Sequence, residues 1–187
     1  MITFVAAAYR ETIESKVFLN SLLVQTNPNW KCIVYCDEPN EYIKNVINDL
    51  NDERISYYEN QVATGHWGHV NREFALQNLV DTEFVIQTSI QDYYMPIAVD
   101  EIMKRTDNHD FIYYNCILNH HNYTLLDTSP RSNFIDWGCF AIRTSIAKRN
   151  GIGALTSPTC DGDFVESIFR NQNIRWYKSP KTLTVHN

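Results

Sequence analysis

The chain has 187 residues, 44% of them hydrophobic, and a formal net charge of −6. That length supports one α/β domain with a sizeable core and hardly two, and the small Pro and Gly content excludes a disordered chain. The acidic balance argues against a general nucleic-acid binder, which would carry a basic face, so no nucleic-acid partner is expected.

The five cysteines (Cys32, Cys36, Cys116, Cys139 and Cys160) are odd in number and lack CxxC spacing. They indicate neither a zinc site nor a disulfide framework, and a reducing, cytoplasmic setting is expected. The apolar start Ile2 to Ala8 has neither the length nor the basic leader of a signal peptide. No run approaches the roughly 20 apolar residues that span a bilayer, so no transmembrane segment is expected. Asn122-Tyr123-Thr124 matches a glycosylation acceptor and is read as chance.

Ile2 to Tyr9 is almost continuously apolar and predicts a buried strand. Glu11 to Gln25 predicts a helix, with Ile13, Val17, Leu19, Leu22 and Leu23 as its apolar stripe. Asn27-Pro28-Asn29 stops it, and Trp30 to Tyr35 forms a second strand ending at Asp37. A helix follows over Asn40 to Leu50, then a strand over Arg54 to Glu59 and a loop over Asn60 to His69. Val70 to Leu79 predicts a helix, Glu83 to Thr88 a fourth strand, and Pro96 opens a helix running to Arg105.

The second half is less regular. Strands are expected at Asp110 to Leu118, Trp137 to Ile142, Ile174 to Tyr177 and Leu183 to Val185. Helices are expected at Thr144 to Arg149 and Phe164 to Asn171. The alternation implies right-handed crossovers and a mostly parallel, Rossmann-like sheet flanked by helices. A nucleotide-binding half over residues 1–95 and an acceptor-side half over 96–187 would share this single domain.

Ligands of open α/β sheets bind beyond the carboxyl ends of the parallel strands. The residues there are Tyr9-Arg10, Asp37-Glu38, the loop Gly65 to Asn71, and Ser89 to Asp92, all polar groups after apolar strands. Asp37 and Tyr9 offer a nucleotide base an acceptor and a flat wall. Arg72 and the helix start after Gly68-His69 offer a diphosphate a cation and backbone donors. Asp92 offers a carboxylate to a divalent metal.

Six ordered segments resemble the family 2 inverting glycosyltransferases of the GT-A fold. FVAAAYRE is similar to the family's first strand and loop, and SLLVQTNPNWKCIVYCDE to its helix and second strand. NREFALQN resembles the ARNxAL helix, and EFVIQTSIQDYYMP the strand leading into the metal-binding DxD motif. WGCFAIR resembles the strand before the acceptor region, and CDGDFVESIFRN the Glu-Asp motif with its helix.

The resemblance implies an inverting transfer of a hexose from a nucleotide-diphosphate sugar, with a UDP-sugar favoured, onto a glycan or other hydroxyl acceptor. It makes Ala8, Tyr9, Asp37, Gly65, Arg72, Ser89 and Gln91 the donor-binding set. It makes Asp92 and the C-terminal His186 ligands of Mn²⁺ or Mg²⁺, and Asp161 the general base with Asp163 as the alternative. Trp137 and Trp67 are the candidate acceptor platforms. Ser89 and Gln91 stand where the DxD acids belong, which keeps open a non-catalytic nucleotide-sugar or glycan-binding module. A nucleotidyltransferase would need a Gly-rich, basic signature after the first strand, which AAAYRET lacks. The short chain also leaves room for a homodimer that completes the acceptor pocket.

Each residue has a plainer reading: Asp37 as a turn former, Asp92, Asp161 and Asp163 as helix caps, Arg72 as a solvated side chain. His186 lies at a terminus that could fray. His66 and His69 belong either to a ligand contact or to loop packing, and His120-His121 is read as a surface pair.

Overall fold

The computed structural model describes residues 1–10, 13–153, 155–171 and 173–187. The expected start of the first helix at Glu11 lies outside them. Among the described residues, nine strands form one sheet. They are β1 (Ile2–Ala8), β2 (Trp30–Cys36), β3 (Ile55–Glu59), β4 (Phe84–Ser89), β5 (Tyr93–Tyr94), β6 (Phe111–Leu118), β7 (Thr124–Leu126), β8 (Phe140–Arg143) and β9 (Trp176–His186). The order is β3-β2-β1-β4-β8-β6-β9-β5, with β7 beside β6. The first four in that order are mutually parallel, as the βαβ rhythm predicts; β6 also runs parallel to β9, while β8, β7 and β5 pair antiparallel to their neighbours.

Strand alternation splits the core into two layers. Phe4, Cys32, Val34 and Ile86 face Phe18, Leu19 and Leu22 of α1 (Ile13–Leu23), and Ile43, Val46 and Ile47 of α2 (Glu41–Leu50). The short α4 (Ala98–Met103) adds Val99 and Ile102 to that layer. Val5, Ile33 and Val85 point the other way. They meet Ala75 and Leu76 of α3 (His69–Asn78), Ile146 of α5 (Thr144–Asn150), and Phe164, Val165 and Ile168 of α6 (Cys160–Asn171). With apolar layers on both faces, the strands read as continuous hydrophobic runs. No helix among the described residues is long and apolar enough to cross a membrane.

Three departures from the sequence reading matter for the site. The two short strands expected at Ile174 to Tyr177 and Leu183 to Val185 are one strand, β9. Tyr114 pairs with Ser179 and Asn115 with Thr182, so Pro180 and Lys181 lie in a bulge where proline needs no ladder partner. Trp137–Cys139 is a 3₁₀ turn capped by Asp136, so β8 starts at Phe140 and not at Trp137. Helix α6 starts at Cys160, four residues before the expected Phe164, which places Asp161 and Asp163 inside its first turn.

Asp110 ties three strands together at the far edge. Its carboxylate accepts from Arg175 Nη2 at 2.9 Å and from Arg143 Nε at 3.0 Å. These guanidinium hydrogen bonds, Arg175 first, hold its carboxyl at about 2. A depressed carboxyl stabilises the fold above its ordinary 3.8, and that contribution is lost as the pH falls toward about 2. Asp110→Asn is expected to cost about 1–2 kcal/mol at neutral pH, after discounting for the exposed Arg175. Urea unfolding measured across that acid range should show the difference from wild type shrinking to nothing.

Candidate functional site

The carboxyl ends of β1, β2 and β4 open into a cavity of about 660 Å³. Ala8, Tyr9, Asp37, Gly65, Trp67, Arg72, Ser89, Trp137, Asp161 and His186 line it, so residues 153 positions apart in Ala8 and Asp161 share one space. Asp136, which the sequence reading passed over, lines it too. Asp92 lies just behind the wall. Gln91 and Asp163 do not line the cavity.

Asp37 closes one end. Its Oδ1 accepts from Thr64 N at 3.0 Å, Thr64 Oγ1 at 2.5 Å and Asn71 Nδ2 at 3.1 Å; its Oδ2 accepts from Gly65 N at 2.8 Å. Burial would raise this carboxyl, but those hydrogen bonds outweigh it and hold it below the ordinary range. The carboxylate therefore orders the loop as well as facing the cavity, so it acts as more than a turn former. Tyr9 is half-exposed at the rim, with the Arg10 guanidinium 4.7 Å over its ring and Arg10 paired to Glu38 at 2.7 Å.

The loop expected over Asn60 to His69 contains four consecutive positive φ angles: Gly65 at 70°, His66 at 54°, Trp67 at 52° and Gly68 at 74°. His66 and Trp67 adopt the left-handed region at a cost of about 1–2 kcal/mol each. Two contacts hold the turn. Gly68 is packed so close to β1 that a Cβ would meet Ala7 Cβ at 2.7 Å. Arg72 Nη1 donates to Trp67 O at 2.5 Å, and Nη2 to Thr88 O at 2.9 Å. Arg72 is thus buried and bound to backbone, neither a solvated residue nor a free phosphate clamp. Its charge lies in the field of Asp136, Asp92 and Asp161.

Trp67 exposes 64% of its surface at the rim and suits stacking on a sugar face. Trp137 does not. It is 5% exposed, with its ring 5.2 Å from Phe164 and 5.9 Å from Phe140, so it is part of the core although it also lines the cavity. His69 lies between the two indoles, 6.1 Å from each, and burial lowers its pKa to about 4.

Asp92 and His186 meet, although 94 positions separate them. His186 Nδ1 lies 2.9 Å from Asp92 Oδ1 and 3.6 Å from Asp136 Oδ1. The β5–β9 pairing, Tyr93 with Val185 and Tyr94 with Thr184, brings the last strand there, so this terminus is structured. Asp92 Oδ2 accepts from Thr88 Oγ1 at 2.6 Å and from Ser89 N at 3.0 Å. Burial would lower the His186 pKa, but the Asp92 hydrogen bond and the charges of Asp136 and Asp92 raise it to about 9. His120 is exposed, as the sequence reading expects, and its ring lies 5.4 Å from that of His186.

This arrangement does not suit a divalent metal. Both Asp92 oxygens are used by protein donors, Ser89 is neutral, Gln91 is off the cavity, and His186 spends Nδ1 on Asp92. Among the described residues, no group of three or more His, Cys, Asp or Glu side chains could hold an ion. A metal at the resemblance's ligands would first have to break that pair.

Asp161 faces the same cavity from the first turn of α6, its Oδ1 accepting from Gly162 N at 2.7 Å. Burial, reinforced by the nearby Asp136 charge, raises its carboxyl to about 7. The Asp136 carboxyl is raised as well, chiefly by burial. Asp163 is exposed and accepts from Thr159 Oγ1 at 3.0 Å and Ser157 Oγ at 3.2 Å. These contacts hold Asp163 outside the cavity. The sequence signal for Asp136 was the IDWG run, an acid that caps a turn into the cavity.

No family model and no curated protein sequence matches the chain. Among solved structures it is similar to TarS of S. aureus (residues 1–349), at TM-score 0.81 and 18% identity over all of this chain and 60% of that one. It is similar to the same protein in complex with UDP-GlcNAc, at 0.76 and 18% over 98% and 57%. It is also similar to the mannosyltransferase PcManGT from Pyrobaculum calidifontis in complex with GDP-Man and Mn²⁺, at 0.78 and 14% over 99% and 56%. The chain therefore has the GT-A fold, and it spans 60% or less of the length of these proteins.

Gly138 gives the Asp92 pair its room. A Cβ there would stand 2.8 Å from Asp92 Oδ2 and 3.3 Å from the Tyr94 hydroxyl. Gly138→Ala is expected to lower the urea-unfolding free energy by about 1–3 kcal/mol; unchanged stability would mean that the carboxylate has room to move.

Proposed function

We propose that the chain transfers a sugar from a nucleoside-diphosphate donor, a UDP-sugar in the first instance, to an acceptor hydroxyl with inversion. One observation carries the reading. A cavity at the carboxyl ends of the parallel strands holds a carboxyl raised by burial to about 7, Asp161, and is lined as well by Arg72 and His186. Solved relatives in complex with UDP, UDP-GlcNAc and GDP-Man support it, since they share the fold that builds this cavity.

In the proposed step the acceptor oxygen attacks the anomeric carbon and passes its proton to Asp161. The carbon–oxygen bond to the diphosphate breaks, and its electron pair leaves with the β-phosphate. A base with a pKa near the working pH is well matched to that task. Trp67 offers a stacking face at the mouth, and Tyr9 with Asp37 closes the nucleoside end. A second reading, a nucleotide-sugar binding module without turnover, is favoured by Ser89 and Gln91 alone.

Asp161→Asn should reduce transfer by about 10²–10⁴-fold and leave UDP affinity by calorimetry within a few-fold of wild type. In the wild type, turnover should rise with pH through about 7, as the Asp161 carboxyl loses its proton. Full turnover in the variant would remove Asp161 from the mechanism. Nucleotide binding without any product across UDP- and GDP-sugars would favour the binding module.

A further inference from the structure

His69 opens α3 and lines the cavity between the Trp67 and Trp137 rings, with only 4% of its surface exposed. Neither ring nitrogen completes a hydrogen bond of good geometry, and both are closed off from solvent. The Ser157 carbonyl approaches the ring. A carbonyl only accepts, so it fixes the ring proton on the nitrogen that faces it and leaves the other as a bare lone pair. An ordinary imidazole is mostly neutral above pH 7. Burial, with the Arg72 charge nearby, holds this one more firmly so.

Buried polar atoms are nearly always paired, because an unpaired one forfeits the bonds it had in water. Trp137 Nε1, a donor on the neighbouring ring, is unpaired as well. Among the described residues, the wall thus presents a bare acceptor and a bare donor that no protein group meets. A hydroxyl donates and accepts at once, and a sugar ring carries several. Of the two indoles beside His69, Trp137 is fixed in the core, while Trp67 is 64% exposed and can turn to admit a ligand.

On the reading that this cavity takes a nucleoside-diphosphate sugar, we propose that His69 is a specificity residue whose bare nitrogen accepts a hydrogen bond from one hydroxyl of a pyranose stacked on Trp67. That pyranose is the donor's sugar or the acceptor, since the proposed transfer brings both to Asp161. The left-handed His66 and Trp67 then have a use, because they set the indole beside the imidazole. The nucleoside end is built separately, by Asp37 and the loop it orders.

Calorimetry should compare wild type, His69→Phe and His69→Gln. The probes are UDP, UDP-glucose and UDP-GlcNAc, then the methyl glycosides of glucose and GlcNAc in the presence of UDP. Phe keeps a ring and removes both nitrogens, whereas Gln restores an acceptor oxygen. Replacing an unpaired buried group by an apolar one of similar shape is close to neutral for stability. His69→Phe should therefore unfold at the wild-type urea midpoint or above it, with UDP affinity within about twofold of wild type. If the hydroxyl belongs to the donor, a UDP-sugar should bind His69→Phe about 3- to 10-fold more weakly, the worth of one hydrogen bond. If it belongs to the acceptor, a methyl glycoside should show that loss instead. His69→Gln should regain part of it in either case. Sugar binding unchanged in His69→Phe, or lost together with urea stability, would overturn the inference and leave the proposed activity standing. A wild type that binds neither UDP nor a UDP-sugar would sink both.

Discussion

The site depends on how the Asp92 carboxylate is satisfied in the interior. A buried charge without partners costs several kcal/mol, and removing one partner of a made set leaves that cost exposed. Here the partners come from different parts of the chain: the Thr88 hydroxyl and Ser89 amide at the end of β4, and the His186 ring at the end of β9. The 3₁₀ turn at Trp137–Cys139 must pass directly over the carboxylate, which only a glycine at 138 permits. Tyr94 fastens the same knot, its hydroxyl 2.8 Å from Thr88 Oγ1 and 3.3 Å from Gly138 O. Satisfying one acid thus fixes where β4, the turn and the last strand meet, and those three segments are the back wall of the cavity.

The other end is built the same way. Asp37 collects two backbone amides, a hydroxyl and an amide side chain, and so pins a loop whose four consecutive positive φ angles would not persist in isolation. Arg72 completes that loop by bonding the Trp67 carbonyl, while its other arm reaches the Thr88 carbonyl beside Asp92. One guanidinium therefore couples the two ends. Charged residues that look from their sequence spacing like ligand contacts act here first as the scaffold that shapes the space.

What was legible in the sequence follows from the range of the interactions involved. Strands β1 to β4 and helices α1 to α3 declare themselves through local patterns, because each buries a stripe or a face of its own. β5 has two residues and no period to read, and β7 is a mostly exposed strand paired only to β6. β9 looked broken at Pro180 because its continuity is set by a bulge against β6. Of the site residues, Asp37 and Asp92 stood out by their place after strands, whereas Asp161 and His186 were expected only through the family resemblance. Trp137 was misplaced because an indole that stacks on ligands and one that fills a core have the same letter; only Phe140 and Phe164 around it decide the matter. Asp136 was missed because its neighbours in space, His186 and the Arg72 charge, are distant in sequence.

The charges of the site also have a direction. Three carboxylates, Asp92, Asp136 and Asp161, share the region with two cationic side chains, Arg72 and His186. Burial raises the Asp136 and Asp161 carboxyls, and the Asp136 charge raises that of Asp161 further. In the proposed transfer, a proton moves to Asp161 as electrons move to the diphosphate. The Asp136 charge favours the first movement, because it strengthens the pull of Asp161 for a proton. Arg72 is a buried cation lining the same cavity. Groups fixed in advance by burial and hydrogen bonding need no reorganisation during the step, which is how a preorganised site gains over water. On this view Asp136 assists without touching the bond that breaks, and its place at the cap of the Trp137 turn keeps it there.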